Sequence, residues 1–442
     1  MALFKAYDVR GIYPKELNEE SAYNIGRAFA DYTKAKEILI GRDMRLSSDT
    51  LFLALSKGIT KQGANVVDIG IVSTPMCYFS SGYLRAMASI MITASHNPKD
   101  YNGFKFMRAN AIPIGEMTGL KDIEMIYTSN KFKRITKNGN IRKRDIANEY
   151  AKHVLSFIEV KKIKPLNIVI DTANGMGSKE VSLVYSKLPC NVTKLYFELD
   201  GRFPNHPADP LKEENTIALQ KNVLKQKADL GIAFDGDADR VFFIDENGEN
   251  IPSYIITCLI AKEFLKLMLN QKIIYDIRSS RIVDETVRRL GGIAIMCRVG
   301  HTFMKEQLRM QDAVFGGELS GHFYFRENYY ADSGIITSLK VMEILSKENK
   351  PFSELIRPLK IYYQSGEINS TVADKDTKIR LLAKKYSNGK ISYLDGIRVD
   401  FGHWWFNVRP SNTEPLLRLN LEAKTKGLMK NKMEEVLKII RE

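Results

Sequence analysis

Apolar positions recur along this chain in two rhythms. Short apolar runs end abruptly in polar or acidic residues, and between them lie stretches with helical spacing. FKAYDVRG opens the first set. SAYNIGRAFADYTKA (21–35) has helical periodicity, and EILIGRD (37–43) reads as a strand ending in a charged loop. SSDTLFLALSKGITKQG (47–63) is a helix closed by Gly63, ANVVDIG a strand, and TPMCYFSSGYLR a helix with Pro75 in its first turn. The apolar run ASIMI (88–92) is then a buried strand.

A second set begins near Asp145. It holds an amphipathic helix over 146–159, the strand and glycine-rich turn LNIVIDTANGMGS (166–178), a strand over 191–201 and a helical stretch over 211–228. LGIAFDGDADRVFFIDENGE (230–249) closes it, with Asn247-Gly248 as a hairpin signal. A third set runs from a helix over 251–269 through KIIYDIRSS, SRIVDETVRRLGG, IAIMCRVG, HTFMKEQLRMQD and AVFGGELSGHFYF to a helix over 333–347. From about residue 361 strands dominate, with helices at 374–386 and 426–441.

Such alternation predicts parallel sheets covered by helices. The chain also exceeds what one core usually supports. The expected architecture is α/β in four domains: residues 1–145, 146–250 and 251–360 as three related mixed α/β sheet domains, and 361–442 as a smaller α+β domain. An apolar strand ends in an acid or polar loop at Ser95, Asp171, Asp235 and Asp276, which suggests an internal repeat at domain scale.

Composition narrows the function classes. Hydrophobic content of 44% and charged content of 27% are those of a soluble globular protein. The four cysteines (Cys77, Cys190, Cys258, Cys297) include no CxxC pair, so thiols in a reducing compartment are expected. No apolar run reaches membrane-spanning length, and MALFKAYDVRG has no signal-peptide apolar region, so a cytoplasmic enzyme with no membrane partner is expected. The net charge of +14 suits nucleic acid, an acidic surface or anionic small substrates. The densest basic run, KFKRITKNGNIRKR (131–144), has few aromatics and reads as a solvated linker, so no nucleic-acid partner is expected.

Four stretches carry chemistry. MITASHNPKDYNGFKF (91–106) takes the ASIMI strand into a tight loop, because Pro98 stops any helix or ladder. Ser95 then stands at a loop tip beside His96, where a hydroxyl can act as nucleophile or carry a phosphoryl group; an ordinary polar turn is the bland alternative. In Asp235-Gly236-Asp237-Ala238-Asp239 three carboxylates alternate with small residues. Extended spacing turns all three to one point, where they repel unless a cation sits among them, and hard oxygens suit Mg²⁺. An EF-hand reading fails, since Arg240 stands where glycine is required and both flanks read as strands. Arg240 can meet a metal-bridged phosphate or pair within its own loop. GGELSGH (316–322) sets Glu318 and Ser320 among glycines, so two polar groups can grip adjacent sugar hydroxyls; a hairpin turn would use similar residues. VRPSNTEP (408–415), with Arg409, Ser411, Asn412 and Thr413, is a phosphate grip or a polar connecting loop.

AYDVRG, TASHNP, DGDADR, GELSGH and RPSNTEP occur in this order across the whole chain. Together they resemble the α-D-phosphohexomutase superfamily, in its phosphomannomutase/phosphoglucomutase branch. The resemblance implies four domains around a central cleft. It implies Ser95 as the phosphoserine, with Asp235, Asp237 and Asp239 holding Mg²⁺ together with a phosphate oxygen on Ser95. Glu318 and Ser320 would read the sugar, and Arg409, Ser411, Asn412 and Thr413 would hold the phosphate that is not reacting. Tyr7, Arg10 and Lys105 would line the reacting end, and Gly300, His301 and His322 match positions near the substrate. Where many relatives have a lysine, this chain has Arg278 in YDIRSS; an arginine does not transfer protons, so binding is its expected role.

The expected function is interconversion of hexose 6-phosphate and hexose 1-phosphate, of mannose or glucose, through a sugar 1,6-bisphosphate, by a monomer or homodimer. Lys105 is the first candidate for the general base and His322 the second. Two alternatives stand beside this reading. A phosphoglucosamine mutase would more often carry Gln where GELSGH has Leu319, and a metal-dependent phosphatase would hydrolyse the phosphoserine.

Overall fold

A computed structural model of the chain describes residues 3–133, 135–411 and 415–442. The chain forms two compact units, each built from two separate stretches. The first unit takes Met1–Ser253 with Ser320–Leu355, and the second takes Tyr254–Leu319 with Ile356–Glu442.

The first unit holds two mixed sheets. In one, the strands run in the order Val9–Ile12, Tyr101–Arg108, Ala88–Ile92, Glu37–Arg42, Asn65–Ile71 and Ile141–Lys143. Pairing is parallel among the last four and antiparallel on both sides of Tyr101–Arg108. An all-parallel sheet is ruled out locally, because the loop over 93–100 is too short for the crossover that parallel pairing needs. Ala88–Ile92 is buried at every position, and its Ile90 and Ile92 join Phe104 and Phe106 in a core against the helices Glu19–Thr33 and Ser48–Lys61. The first of these helices begins at Asn18, whose side chain accepts from Ser21 N while Ser21 Oγ accepts from Asn18 N.

In the other sheet the order is Asn250–Ile251, Val241–Ile244, Leu230–Phe234, Asn167–Asp171 and Asn191–Leu195. The three strands from Leu230–Phe234 to Asn191–Leu195 are parallel, and the Asn247-Gly248 hairpin forms as expected. The helices Ala147–Leu155 and Gly177–Tyr185 pack with Gly334–Glu348, which comes from the unit's second stretch. That stretch also supplies the antiparallel pair Phe323–Phe325 and Ala331–Asp332.

In the second unit, Ile293–Cys297, Lys272–Asp276 and Phe315–Gly317 pair in parallel. The C-terminal segment is an antiparallel sheet ordered Tyr363–Gln364, Leu416–Ala423, Trp404–Pro410, Ile397–Asp400 and Lys390–Ser392, with Ile368–Thr371 also on Leu416–Ala423. The helices Lys375–Lys385 and Lys426–Arg441 cover it around Leu382, Phe406, Leu419 and Val436.

Candidate active site

Three loops of the first unit converge. Ser95 follows the end of Ala88–Ile92, is 3% exposed, and has φ 50, a left-handed conformation unusual for a side chain other than Gly, Asn or Asp. Such strain persists only where neighbours enforce it. Here Thr93 Oγ1 accepts from Ser95 N, and Ser95 Oγ lies 2.9 Å from Asp235 Oδ2 and 3.3 Å from His96 Nδ1. Burial, reinforced by the cations Arg240 and Arg10, holds the His96 imidazole well below its ordinary pKa, so it is neutral.

Asp235, Asp237 and Asp239 are buried at the end of Leu230–Phe234 and bring one carboxylate oxygen each within 4.8 Å of one another. Gly236 is where this loop touches the Ser95 loop: a Cβ there would stand 2.5 Å from Ser95 O. Burial, then the charges of Asp239 and Asp237, pushes the Asp235 carboxyl well above the usual range. For Asp239, burial acts the same way, but Lys105 and His322 outweigh it and hold the carboxyl well below. Lys105, on the neighbouring strand Tyr101–Arg108, donates to Asp237 at 2.8 Å and to Asp239 at 2.7 Å. Burial opposes its charge, but the two aspartates overcome this and raise its pKa well above the ordinary lysine value.

Arg10 donates to Asn97 Oδ1 at 2.7 Å and pairs with Asp8 at 2.5 Å, so it leans on the Ser95 loop; Tyr7, just ahead of it, is half-buried. Arg240 donates from its backbone N to Asp235 Oδ1, with its guanidinium 3.7 Å from the same carboxylate, so the intraloop pairing forms. Its Nε also donates to His322 Nε2 at 3.3 Å. His322 stands 3.4 Å from Asp239 and 3.9 Å from Asp332, and Ser320 Oγ is 3.0 Å from His322 Nδ1. Asp239, His322 and Asp332 make a second cation-competent group that shares Asp239 with the first.

These residues fit a divalent cation. Three buried carboxylates repel in the absence of positive charge, and Asp237 Oδ1 is buried with no hydrogen-bond partner. All-oxygen donors suit Mg²⁺ over softer metals.

In the second unit two of the expected residues, Arg409 and Arg278, meet at one carboxylate. Arg409 donates to Glu367 at 2.8 Å, Arg418 lies 3.5 Å from it and Arg278 3.8 Å. Burial alone would raise the pKa of Glu367, but Arg409 and Arg278 overcome it and lower it. Arg278 also pairs with Asp276 at 2.7 Å, and Asp276 accepts from Leu319 N beside the buried Glu318. Ser411 Oγ is 3.4 Å from Arg418. Gly300, with φ 132, turns the chain into the helix His301–Gln311, so His301 is that helix's first residue. Asn412 and Thr413 lie outside the described residues.

Four domain families match the chain in order: phosphoglucomutase/phosphomannomutase alpha/beta/alpha domain I over residues 1–134, domain II over 148–248, domain III over 252–362, and the C-terminal domain over 367–439. A phosphomannomutase of Vibrio cholerae is 40% identical over 456 residues, spanning 100% of this chain and 98% of its own. The chain belongs to the phosphoglucomutase/phosphomannomutase family. Another phosphomannomutase, from Methanocaldococcus jannaschii, is 40% identical and covers 100% of this chain and 98% of its own. A crystal structure of a phosphoglucomutase/phosphomannomutase family protein from Burkholderia thailandensis superposes with TM-score 0.92 at 31% identity, covering 99% of this chain and 96% of that one. As a family member this mutase is an intramolecular phosphotransferase acting on hexose phosphates. No helix among the described residues is long and apolar enough to cross a membrane.

Residues that sequence reasoning did not single out also hold the Ser95 loop and the aspartate loop in place. Arg45 is 2% exposed, and its guanidinium donates to the carbonyls of Ser95, Asn97, Pro98 and Tyr101 at 2.7–3.0 Å. Its charge is balanced by Asp43 at 3.3 Å. Thr74 donates from N to Asp237 O and from Oγ1 to Asp237 Oδ2, so it fixes the acid loop. Ser73 caps the helix Thr74–Tyr83 and donates to Glu180, which also accepts from Tyr150 OH at 2.6 Å. Glu367 collects Arg278, Arg409 and Arg418. Only Ser73 carried a local signal, as a capping residue before a Pro-initiated helix.

Proposed function

We propose that this mutase interconverts the 6-phosphates and 1-phosphates of mannose and glucose through a phosphoserine at Ser95 and a sugar 1,6-bisphosphate. The observation that carries the reading is the 2.9 Å approach of Ser95 Oγ to the first of three clustered aspartates, at a strained, buried loop tip. The full-length phosphomannomutase relatives support the hexose assignment, and Leu319 before Ser320 favours it over an amino sugar.

In this reading the phosphoserine gives its phosphoryl group to the free sugar hydroxyl. The Oγ–P bond breaks, an O–P bond forms on the sugar, and the hydroxyl proton passes to a protein base. The bisphosphate turns around, its other phosphoryl group returns to Oγ, and the proton returns to the sugar oxygen released. Mg²⁺ on Asp235, Asp237 and Asp239, with a phosphate oxygen of Ser95, would supply charge stabilisation for the transferring group. Arg10, Arg240, Tyr7 and His96 line the reacting end. Asp237 and Asp239 hold Lys105 charged in the metal-free protein; with Mg²⁺ on those carboxylates it would be freed to give up that proton and serve as the first candidate for the base, with His322 the second. Glu318 and Ser320 read the sugar hydroxyls, with Arg278, Gly300 and His301 as further binding groups. Arg409, Ser411, Asn412 and Thr413 hold the far phosphate.

The test is a coupled assay with mannose, glucose and glucosamine phosphates on the wild type and on Ser95→Ala, alongside intact-mass analysis. Mannose and glucose phosphates should turn over, the wild type should carry a phosphate, and the variant should lose both phosphate and orders of magnitude in rate. Near-wild-type turnover by Ser95→Ala, or preference for glucosamine phosphate, overturns the assignment. Phosphate release without isomerised sugar would favour the phosphatase alternative.

A further inference from the structure

A cavity of the first unit, about 930 Å³, is lined by none of Ser95, Lys105 or the three aspartates. It lies among the ends of Glu37–Arg42 and Asn65–Ile71, the segment from Lys143 to Ala147, the helix Gly177–Tyr185 and residues 194–199. Its volume is that of a small-molecule site. Its lining is of two kinds. Ile71, Leu183, Leu199 and Phe197 supply apolar surface, and Lys143, Lys179 and Lys194 supply positive charge.

The cationic wall is in excess. Arg42 is committed to Asp49 at 2.5 Å and to Asp68 at 2.7 Å, and Arg144 to Glu149 at 2.7 Å. The three lysines have no carboxylate within salt-bridge reach in the described structure. Lys179 donates to Ile71 O, and Lys194 stands 5.4 Å from the Phe197 ring centroid. Asp145, Ser178 and Ser182 also line the cavity, polar partners for a ribose. A flat apolar ring bearing phosphates matches both walls, with stacking on Phe197 and charge-assisted hydrogen bonds from the lysines.

We propose that this cavity is a second, effector site that binds a nucleoside diphosphate. The segment from Ile69 to Val72 lines it and continues into Ser73 and Thr74, which hold Glu180 and Asp237. Lys179 precedes Glu180 directly. Occupancy is therefore felt at the acid loop.

Calorimetry on the full chain with GDP and ADP, without Mg²⁺, tests the site apart from any catalytic reading. The expected result is 1:1 binding, weakened roughly tenfold or more by Lys143→Glu with Lys194→Glu, both exposed lysines outside the core. Phe197→Ala should weaken nucleotide binding and leave inorganic pyrophosphate unaffected, whereas Arg409→Ala should leave nucleotide affinity unchanged. Absence of binding at about 1 mM nucleotide, loss of binding in Arg409→Ala, indifference to the lysine reversals, or pyrophosphate binding as tightly as GDP would each overturn the proposal. At fixed free Mg²⁺, saturating GDP should change the wild-type mutase rate about twofold or more but not that of the double variant; an unchanged wild-type rate overturns the link to the acid loop.

Discussion

Replacing Glu180 by glutamine should remove a pH-dependent cost from the first unit. Glu180 is fully buried, accepts from Ser73 and Tyr150, and has its second oxygen without a hydrogen-bond partner. Burial outweighs the two hydroxyl donors and pushes its pKa up to about 7, against an ordinary 4.5. The sign follows from proton binding. Below the ordinary value both folded and unfolded chains hold the proton, and nothing is lost. As pH rises from there to about 7, the unfolded chain releases a proton that the folded chain keeps, so stability falls. Above that window the loss is constant. At 1.36 kcal/mol per unit, it amounts to roughly 3 kcal/mol. Glutamine keeps the acceptor oxygen for both hydroxyls and cannot ionise. Relative to wild type, Glu180→Gln should therefore gain about that much stability between pH 4.5 and pH 8. Urea unfolding followed by far-UV circular dichroism at a series of pH values measures the difference. Both tryptophans, Trp404 and Trp405, lie in the second unit, so their fluorescence identifies that unit's transition and separates it from the first. Wild-type and variant stabilities that run parallel across the window would refute the reasoning.

Three further outcomes are expected. Asp237→Asn removes one anion from the cluster and should raise the Mg²⁺ concentration for half-activation about tenfold or more while lowering kcat, measured by metal titration; full activity in chelator would show that the aspartates hold no required metal. Arg409→Ala removes a charge-assisted contact and should cost roughly 1.5–3 kcal/mol in kcat/KM, with kcat falling as well as KM rising and more free bisphosphate escaping per turnover. Arg45→Lys keeps the charge but cannot span four carbonyls from one nitrogen, so the mutase should lose about ten- to a hundredfold in kcat with KM little changed, and hydrogen exchange over 95–101 should speed up; unaltered exchange would show that Arg45 does not hold the loop.

What could be read before the fold was known depended on how far apart partners lie in sequence. ASIMI and LGIAF announce buried strands because every position is apolar, and the polar loops after them put Ser95 and Asp235 at strand ends. The three aspartates are legible because their spacing is local. Thr74 meets Asp237 across 163 positions and Ser73 meets Glu180 across 107, and no local pattern encodes such a pairing. Arg45 lies in the charged loop after EILIGRD, yet four of its five guanidinium hydrogens are spent on backbone carbonyls inside the protein. Lys105 illustrates a subtler gap. Its presence near the reacting end was expected, but its double attachment to Asp237 and Asp239, which fixes its charge, depends on the antiparallel return of Tyr101–Arg108 where alternation alone suggested parallel pairing. The helical stretch expected over 211–228 settles only over Ile217–Gln226, after a 3-10 turn at Glu213–Thr216, because Leu211 is exposed and marks no buried face.

The first unit's two stretches impose an order on its synthesis. A growing chain that has reached Ser253 already contains Ser95, Lys105 and all three aspartates. It still lacks His322, Asp332 and the helix Gly334–Glu348, whose Ile335, Ile336, Leu339 and Met342 are buried and whose Ser338 and Glu343 accept from Tyr185 OH and Glu159 N. Residues 254–319 must leave the ribosome before that helix exists. Until then the apolar faces of Ala147–Leu155 and Gly177–Tyr185 stand uncovered, a sticky intermediate of the sort that chaperones shield. Termination between Ser253 and Gly334 thus yields a chain with Ser95 and all three aspartates, but without the helix that covers its core.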